Sequence, residues 1–311
     1  MQEKTRGLAA ILTANLIFGI NIPVTKSLVT HWMTPMGYTL TRMVFGCIIF
    51  WAIGSFLPRE RVDPRDLLVM MIGGLMGFLG TQFLFSQSLH YTTPVIFSLL
   101  LALTPVVVLL LSALFLKEII PGRKIIGILI SISGASMIIL LSGSQESTGR
   151  NHLLGIFFAL LTALFYAGYL VITRKISIKY HPVTIAKWMF LVSALVAIPF
   201  SLRAIPTQRI YSGEATLQAY GLLTFALLFS TTIAFFLMPV GLKRLEASTI
   251  SIFMNLQPVV ASVVAVLAGQ DVLTWDKPLA TLLVIAGVYL VTIQSRKIKN
   301  RNLYPTRDFK R

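Results

Sequence analysis

Apolar runs of about twenty residues follow one another along the chain, each closed by a short polar or basic stretch, and the strict alternation of a half-buried strand is nowhere sustained. The runs cover approximately 7–29, 34–57, 66–88, 94–116, 123–142, 153–174, 181–202, 217–241, 247–268 and 277–295. A hydrocarbon core about 30 Å thick takes about 20 helical residues to cross. The pattern therefore predicts an all-α polytopic membrane protein with ten transmembrane helices. Helices follow because a backbone in lipid must satisfy its own N–H and C=O groups. The first run is too long for a signal peptide and ends at no small-residue cleavage site, so it counts as a span.

Within the runs, polar and aromatic residues gather on faces. In span 1, Phe18, Asn21 and Thr25 share one side with Ala14; in span 6, Tyr166 and Tyr169 share one with Thr162 and Thr173. Span 9 places Ser251, Asn255, Pro258 and Ser262 together, and span 3 places Phe78, Gln82 and Phe85 together. An unpartnered polar group facing hydrocarbon costs several kcal/mol, so these faces are expected to point inward. Phe18, Asn21, Thr25, Gln82, Tyr166, Tyr169, Ser251 and Asn255 are the candidate substrate-binding residues. For each of them, interhelical hydrogen bonding worth about 0.6 to 2 kcal/mol is the open alternative. The glycines of "GGLMGFLG", Gly73, Gly77 and Gly80, predict a close helix–helix approach.

The pattern also repeats. "LTPVVVLLLSALFLKE" (103–118) returns as "LQPVVASVVAVLAGQD" (256–271), each opening on Leu-x-Pro-Val-Val and closing on a carboxylate. Shifting span 1 by 148 residues lays Thr25 on Thr173, and shifting span 2 by 145 lays Thr39 on Thr184, Arg42 on Lys187 and Phe45 on Phe190. Gly134 of span 5 matches Gly287 of span 10. The chain thus divides into residues 1–146 and 147–295, with 296–311 a basic tail. Five spans per half is an odd number, so the second half enters the membrane from the opposite side. Inverted halves around a shared site are the architecture of alternating access.

Composition agrees: 56% of residues are apolar, 12% are charged, and mean hydropathy is +0.81, where soluble domains carry about 25% charge. The net charge of +16 would point to nucleic acid in a soluble protein. Here twenty of the 27 basic residues fall on one side of the predicted topology, including seven from Arg296 onward. By the positive-inside rule both termini face the cytoplasm, and nucleic acid is not an expected partner. The expected partners are the lipid bilayer and a small-molecule substrate, with oligomeric state left open. One cysteine, Cys47, excludes an internal disulfide and a thiolate metal cluster.

Few charges enter the spans. Arg42 and Lys187 lie about two turns inside theirs, where a central charge costs about 2.5–3.5 kcal/mol on insertion scales. Either they snorkel to the headgroups or they attract and gate an anionic substrate group. Pro105 and Pro258 would kink spans 4 and 9 and free the carbonyls of Leu101 and Met254. Glu118 and Asp271 sit at span ends and the histidines in or beside loops, which disfavours a midplane proton relay. No HExxH, Walker sequence, carboxylate cluster or Ser/His pair is present, so neither enzyme activity nor a cofactor or metal is expected.

Ten spans in two five-helix halves, the paired Pro-containing sentences quoted above, and the small "ISGASMIIL" and "IAGVYLVTI" helices that follow them resemble the EamA family of the drug/metabolite transporter superfamily. The resemblance covers about residues 7–295. It implies a prokaryotic inner-membrane carrier, often an exporter of amino acids, metabolites or toxic organic compounds, with a cavity between its halves. It departs from the family at "GQD", where Gly-Glu is more usual, and at "LKE", which lacks the glycine. A channel, or a membrane-embedded binding or scaffold protein with a vestigial repeat, is the competing expectation.

Overall fold

The computed structural model describes residues 2–116, 125–127, 129–130, 132–134, 137, 152–201, 205–245, 250, 253–254, 256–270 and 276–293. Ser251, Asn255, Glu118, Asp271, most of the predicted fifth span and the basic tail lie outside them. The described residues are helical and contain no strand. In chain order the helices are α1 (Gln2–His31), α2 (Pro35–Ser55), α3 (Pro64–Tyr91), α4 (Pro94–Leu101), α5 (Thr104–Leu116), α6 (His152–Lys179), α7 (Pro182–Ser201), α8 (Leu217–Arg244), α9 (Leu256–Leu267) and α10 (Asp276–Ile293). Seven stretches of the described residues are helical, long and apolar enough to cross a membrane: α1, α2, α3, the α4–α5 run, α6, α7 and α8.

Several starts use one local device. Thr34-Pro35, Asp63-Pro64 and Thr93-Pro94 each set an N-cap side chain ahead of a proline. The cap oxygens accept from the backbone N–H groups of Gly37, Arg65 and Ile96, donors that would otherwise lack a partner, and the proline gives up an N–H that the helix would not use.

Two spans carry wide turns in their middle. Gly74–Gly80 within α3 and Ala226–Ala234 within α8 are π-helical, with the i→i+5 bonding that adds a residue and redirects side chains. Threonine hydroxyls support it: Thr231 donates to the carbonyl of Ala226 (2.9 Å), Thr232 to Leu227 (3.1 Å) and Thr81 to Met76 (2.8 Å), each five residues back.

The core forms where helices before residue 117 pack on helices after residue 151. α2 lies along α7, with Phe50 stacked on Phe190 at 5.3 Å between ring centroids. α3 packs on α6, and α1 packs on α8 and α9. The glycine stripe is a contact surface: a Cβ on Gly73 would meet Thr173 at 2.5 Å, one on Gly80 would meet Phe165 at 2.6 Å, and one on Gly77 would collide with the Tyr169 ring. Large apolar side chains such as Leu114, Leu153, Phe200 and Leu282 cover the exterior, which suits lipid rather than water.

The prolines of the repeated sentence sit differently from the expected mid-span kink. The span holding Pro105 is broken at Ala102 and Leu103, and Pro105 falls in the first turn of α5, where a missing N–H costs nothing. The Leu101 carbonyl accepts from the Thr104 hydroxyl at 2.5 Å. Pro258 likewise falls in the first turn of α9, and the Met254 carbonyl accepts from the Gln257 N–H at 2.9 Å. Both carbonyls expected to be free have donors inside the chain.

Candidate functional site

A cavity of about 50 Å³ lies where α1, α3, α4, α6, α8 and the residues opening α9 converge. Its wall is largely aromatic, with Phe18, Phe85, Phe97, Tyr166, Tyr169 and Phe235, and is completed by Asn21, Thr81, Gln82, Thr162, Met238, Met254 and Gln257. Such a volume has room for a few waters, whereas organic ligands occupy pockets of about 300–1,000 Å³. Loading an organic solute requires these side chains to part.

Of the residues expected to bind substrate, Phe18, Asn21, Gln82, Tyr166 and Tyr169 are brought together on this wall. Thr25 is not: it is buried one turn beyond Asn21, bonded to the Tyr38 hydroxyl at 2.8 Å and accepting from the Asn21 amide at 3.2 Å. Phe78, from the span 3 face, packs into a ring cluster with Phe190 (4.6 Å) and Phe235 (4.5 Å) behind the wall. Ser251 and Asn255 lie outside the described residues. Gln257 was missed. Its amide donates to Asn15 at 2.6 Å, and an amide beside Pro258 in an otherwise apolar span was the signal that could have found it. The Asn21 amide oxygen is buried, on the wall and without a hydrogen-bond partner, which leaves an acceptor for a donor inside the cavity.

Arg42 is fully buried and does not snorkel. It projects from α2 to the α8 wide turn, where Nε donates to the Thr231 hydroxyl (2.7 Å) and an Nη to Ser230 (2.9 Å). The other Nη donates to the Gln82 side-chain oxygen on α3. Its guanidinium also lies over the rings of Tyr38 (5.4 Å) and Phe235 (5.7 Å). All these partners are neutral, and among the described residues no carboxylate forms an ion pair with it.

Lys187 has a different setting. It is half-buried on α7, with its ammonium 5.3 Å from the Trp51 ring, and Trp51 donates to the Lys187 backbone carbonyl at 3.2 Å. Trp51 is partly exposed and also meets Trp188 edge-on.

At the C-terminal end of α1 lie two wider recesses of about 450 and 350 Å³, which share Ser27, His31, Gln218 and Leu222. Lys26, Thr30 and Gln270 border one, and Trp32, Arg209 and Thr216 the other. Lys26 donates to the Leu89 and Thr92 carbonyls, both at 2.8 Å. The opposite end is tied by ion pairs, Glu3 with Arg6 (2.9 Å) and Arg244 (2.7 Å), and Asp66 with Lys179.

Comparison with known proteins agrees with this architecture. The model of the EamA-like transporter family matches residues 5–140 and again residues 153–293. An uncharacterized transporter of Archaeoglobus fulgidus is 26% identical over 265 residues, covering 84% of this chain and 90% of the relative. The uncharacterized inner membrane transporter YhbE of Escherichia coli is 23% identical, covering 93% and 90%. A probable terminal-alkyne amino-acid exporter of Streptantibioticus cattleyicolor is 27% identical, covering 82% and 83%. A solved crystal structure of 20% identity shares the fold, with a TM-score of 0.64 over 94% of this chain and 99% of that one. With its apolar helices, these matches make it a multi-pass protein of the inner membrane. The chain belongs to the EamA-like transporter family.

Proposed function

We propose that the chain is a secondary transporter that exports a small organic metabolite, amino acid or drug-like compound through the central cavity. It works by alternating access between two inverted five-helix halves, residues 1–146 and 147–295, with both termini cytoplasmic. The observation that carries the proposal is the composition of the cavity wall: Phe18, Asn21 and Gln82 come from the first family match, Tyr166, Tyr169 and Gln257 from the second. A solute bound there touches both halves, which is what a rocking carrier requires.

The packing supports an exchange symmetry. Under a shift of five spans, the α1–α8 contact becomes the α6–α3 contact, and the α2–α7 contact maps onto itself; all are present. The wide turns fall in α3 and α8, the third spans of the two halves. Aromatic walls suit a flat or apolar solute body, and the open acceptor of Asn21 suits a hydroxyl, amide or amine N–H on the same solute. A cavity of about 50 Å³ is too small for a standing aqueous pore, which favours a carrier over a channel.

Counterflow tests the reading. Proteoliposomes preloaded with an unlabelled solute from a panel of amino acids and aromatic metabolites should accumulate the labelled solute transiently, faster than unloaded vesicles. A flux that never rises above equilibration, or no flux for any panel member, would replace the carrier with a pore or a scaffold.

A further inference from the structure

We infer that Arg42 is the anchor for a carboxylate group on the transported solute, and that Gln82 holds the anchor until that group arrives. The inference rests on the carrier reading and deepens it by naming a substrate class, a monoanionic carboxylate joined to an apolar or aromatic body.

The starting point is an uncompensated charge. A buried cation normally has an anionic partner, because the desolvation it suffers is offset by little else. Arg42 is fully buried, and its three side-chain acceptors, Thr231, Ser230 and Gln82, are neutral. A guanidinium has more N–H donors than these three acceptors use, arranged in a fork that fits a carboxylate through two parallel bonds.

Position makes the charge available to a solute. Arg42 stands directly behind the cavity wall, and two of the groups it touches, Gln82 and Phe235, form part of that wall. The Gln82 oxygen occupies one place that a carboxylate oxygen would take. Rotation of the Gln82 side chain opens that place to the cavity, and the amide can then donate to the arriving anion. The charge count selects a monoanion: no Lys or Arg lines the cavity among the described residues, and the ammonium of Lys26 is bonded to the Leu89 and Thr92 carbonyls. A dianionic head would bring in one charge more than Arg42 neutralises.

The exchange also has a mechanical side. Arg42 on α2 joins α3, through Gln82 just past the first wide turn, to the second wide turn on α8, through Ser230 and Thr231. Replacing Gln82 by a solute carboxylate releases α3 from this clip while α8 stays attached. Binding and the loosening of one half from the other then become a single event.

The test uses the full chain purified in detergent, with melting temperature followed at constant ionic strength. The probes are 3-phenylpropanoate and its neutral match, 3-phenylpropanamide, since a ligand of the folded state raises its melting temperature. In the unaltered protein the acid should act at about tenfold lower concentration than the amide, as expected for one charge-assisted hydrogen-bonded pair. Gln82→Glu places a built-in carboxylate on the guanidinium; the protein should still melt cooperatively, and the preference for acid over amide should vanish. Arg42→Gln should abolish the same preference. A Gln82 that only braces the fold would let Gln82→Glu alter both probes alike. Equal potency of acid and amide, no shift with either, or a preference that survives Gln82→Glu overturns the assignment. An acid preference that persists while counterflow fails for every solute would keep the anchor and remove the carrier.

Discussion

Arg42 and Lys187 occupy matching places when the second span of each half is aligned, yet one is sealed inside the bundle and the other rests on a tryptophan near its surface. The cause is what the facing helix offers. α2 turns Arg42 toward the wide turn of α8, where Ser230 and Thr231 present hydroxyls side by side. α7 turns Lys187 toward Trp51 on α2, which offers a π face and no lone pair in the ring plane. A fork of donors suits the first site and a compact ammonium the second. A duplicated helix pattern thus fixes where a cation enters, and its neighbours decide whether it becomes part of the interior chemistry or an interfacial anchor.

The sharpest way to break the contrast is to truncate both cations. Arg42→Ala leaves Gln82, Ser230 and Thr231 without their donor and opens a void, and should destabilise the protein by about 3 kcal/mol or more. Thermal unfolding in detergent measures this, and a loss no larger than that of Lys187→Ala would erase the distinction. Next in size is Gly46→Ala. Its new Cβ would lie 2.5 Å from the Phe190 ring, between the two cations, and wedging α2 from α7 should cost about 1–3 kcal/mol. Unchanged melting would mean that the α2–α7 seam yields easily. A comparable loss, about 1–3 kcal/mol, is expected for Thr231→Val, which removes both a buried acceptor of Arg42 and the hydroxyl bridging the wide turn. Thr232→Val, which touches only the turn, is the control and should cost less. Smallest is Lys187→Ala, at about 0.5–1 kcal/mol for an exposed cation–π contact. A drop several times larger in the same melting assay would assign Lys187 a structural partner beyond Trp51.

Much of the wall could be read from the chain because helical spacing alone places Phe18 with Asn21 and Tyr166 with Tyr169. The glycine stripe was legible for the same reason, since small residues four apart mark a close approach whatever faces them. Thr25 shares the face of Asn21 and still misses the cavity, because one further turn along α1 brings it to the Tyr38 hydroxyl. Burial of Arg42 could not be inferred from α2, since its acceptors Ser230 and Thr231 lie 188 and 189 residues away. The prolines misled: a span read as continuous is broken just before Pro105, and Thr104 caps the break. The wide turns also left no readable trace, because one added residue barely disturbs the periodicity of an all-apolar run.

Those turns have a consequence for how the chain tolerates length changes. A π segment stores a surplus residue, so deleting one position within Gly74–Gly80 would let the backbone relax to ordinary α geometry without severing the span. Everything downstream would then swing by about 100° around the axis, and Gln82 would leave the guanidinium it now meets. Alignments that drop a single residue in this segment therefore delete a steering element, not a spacer.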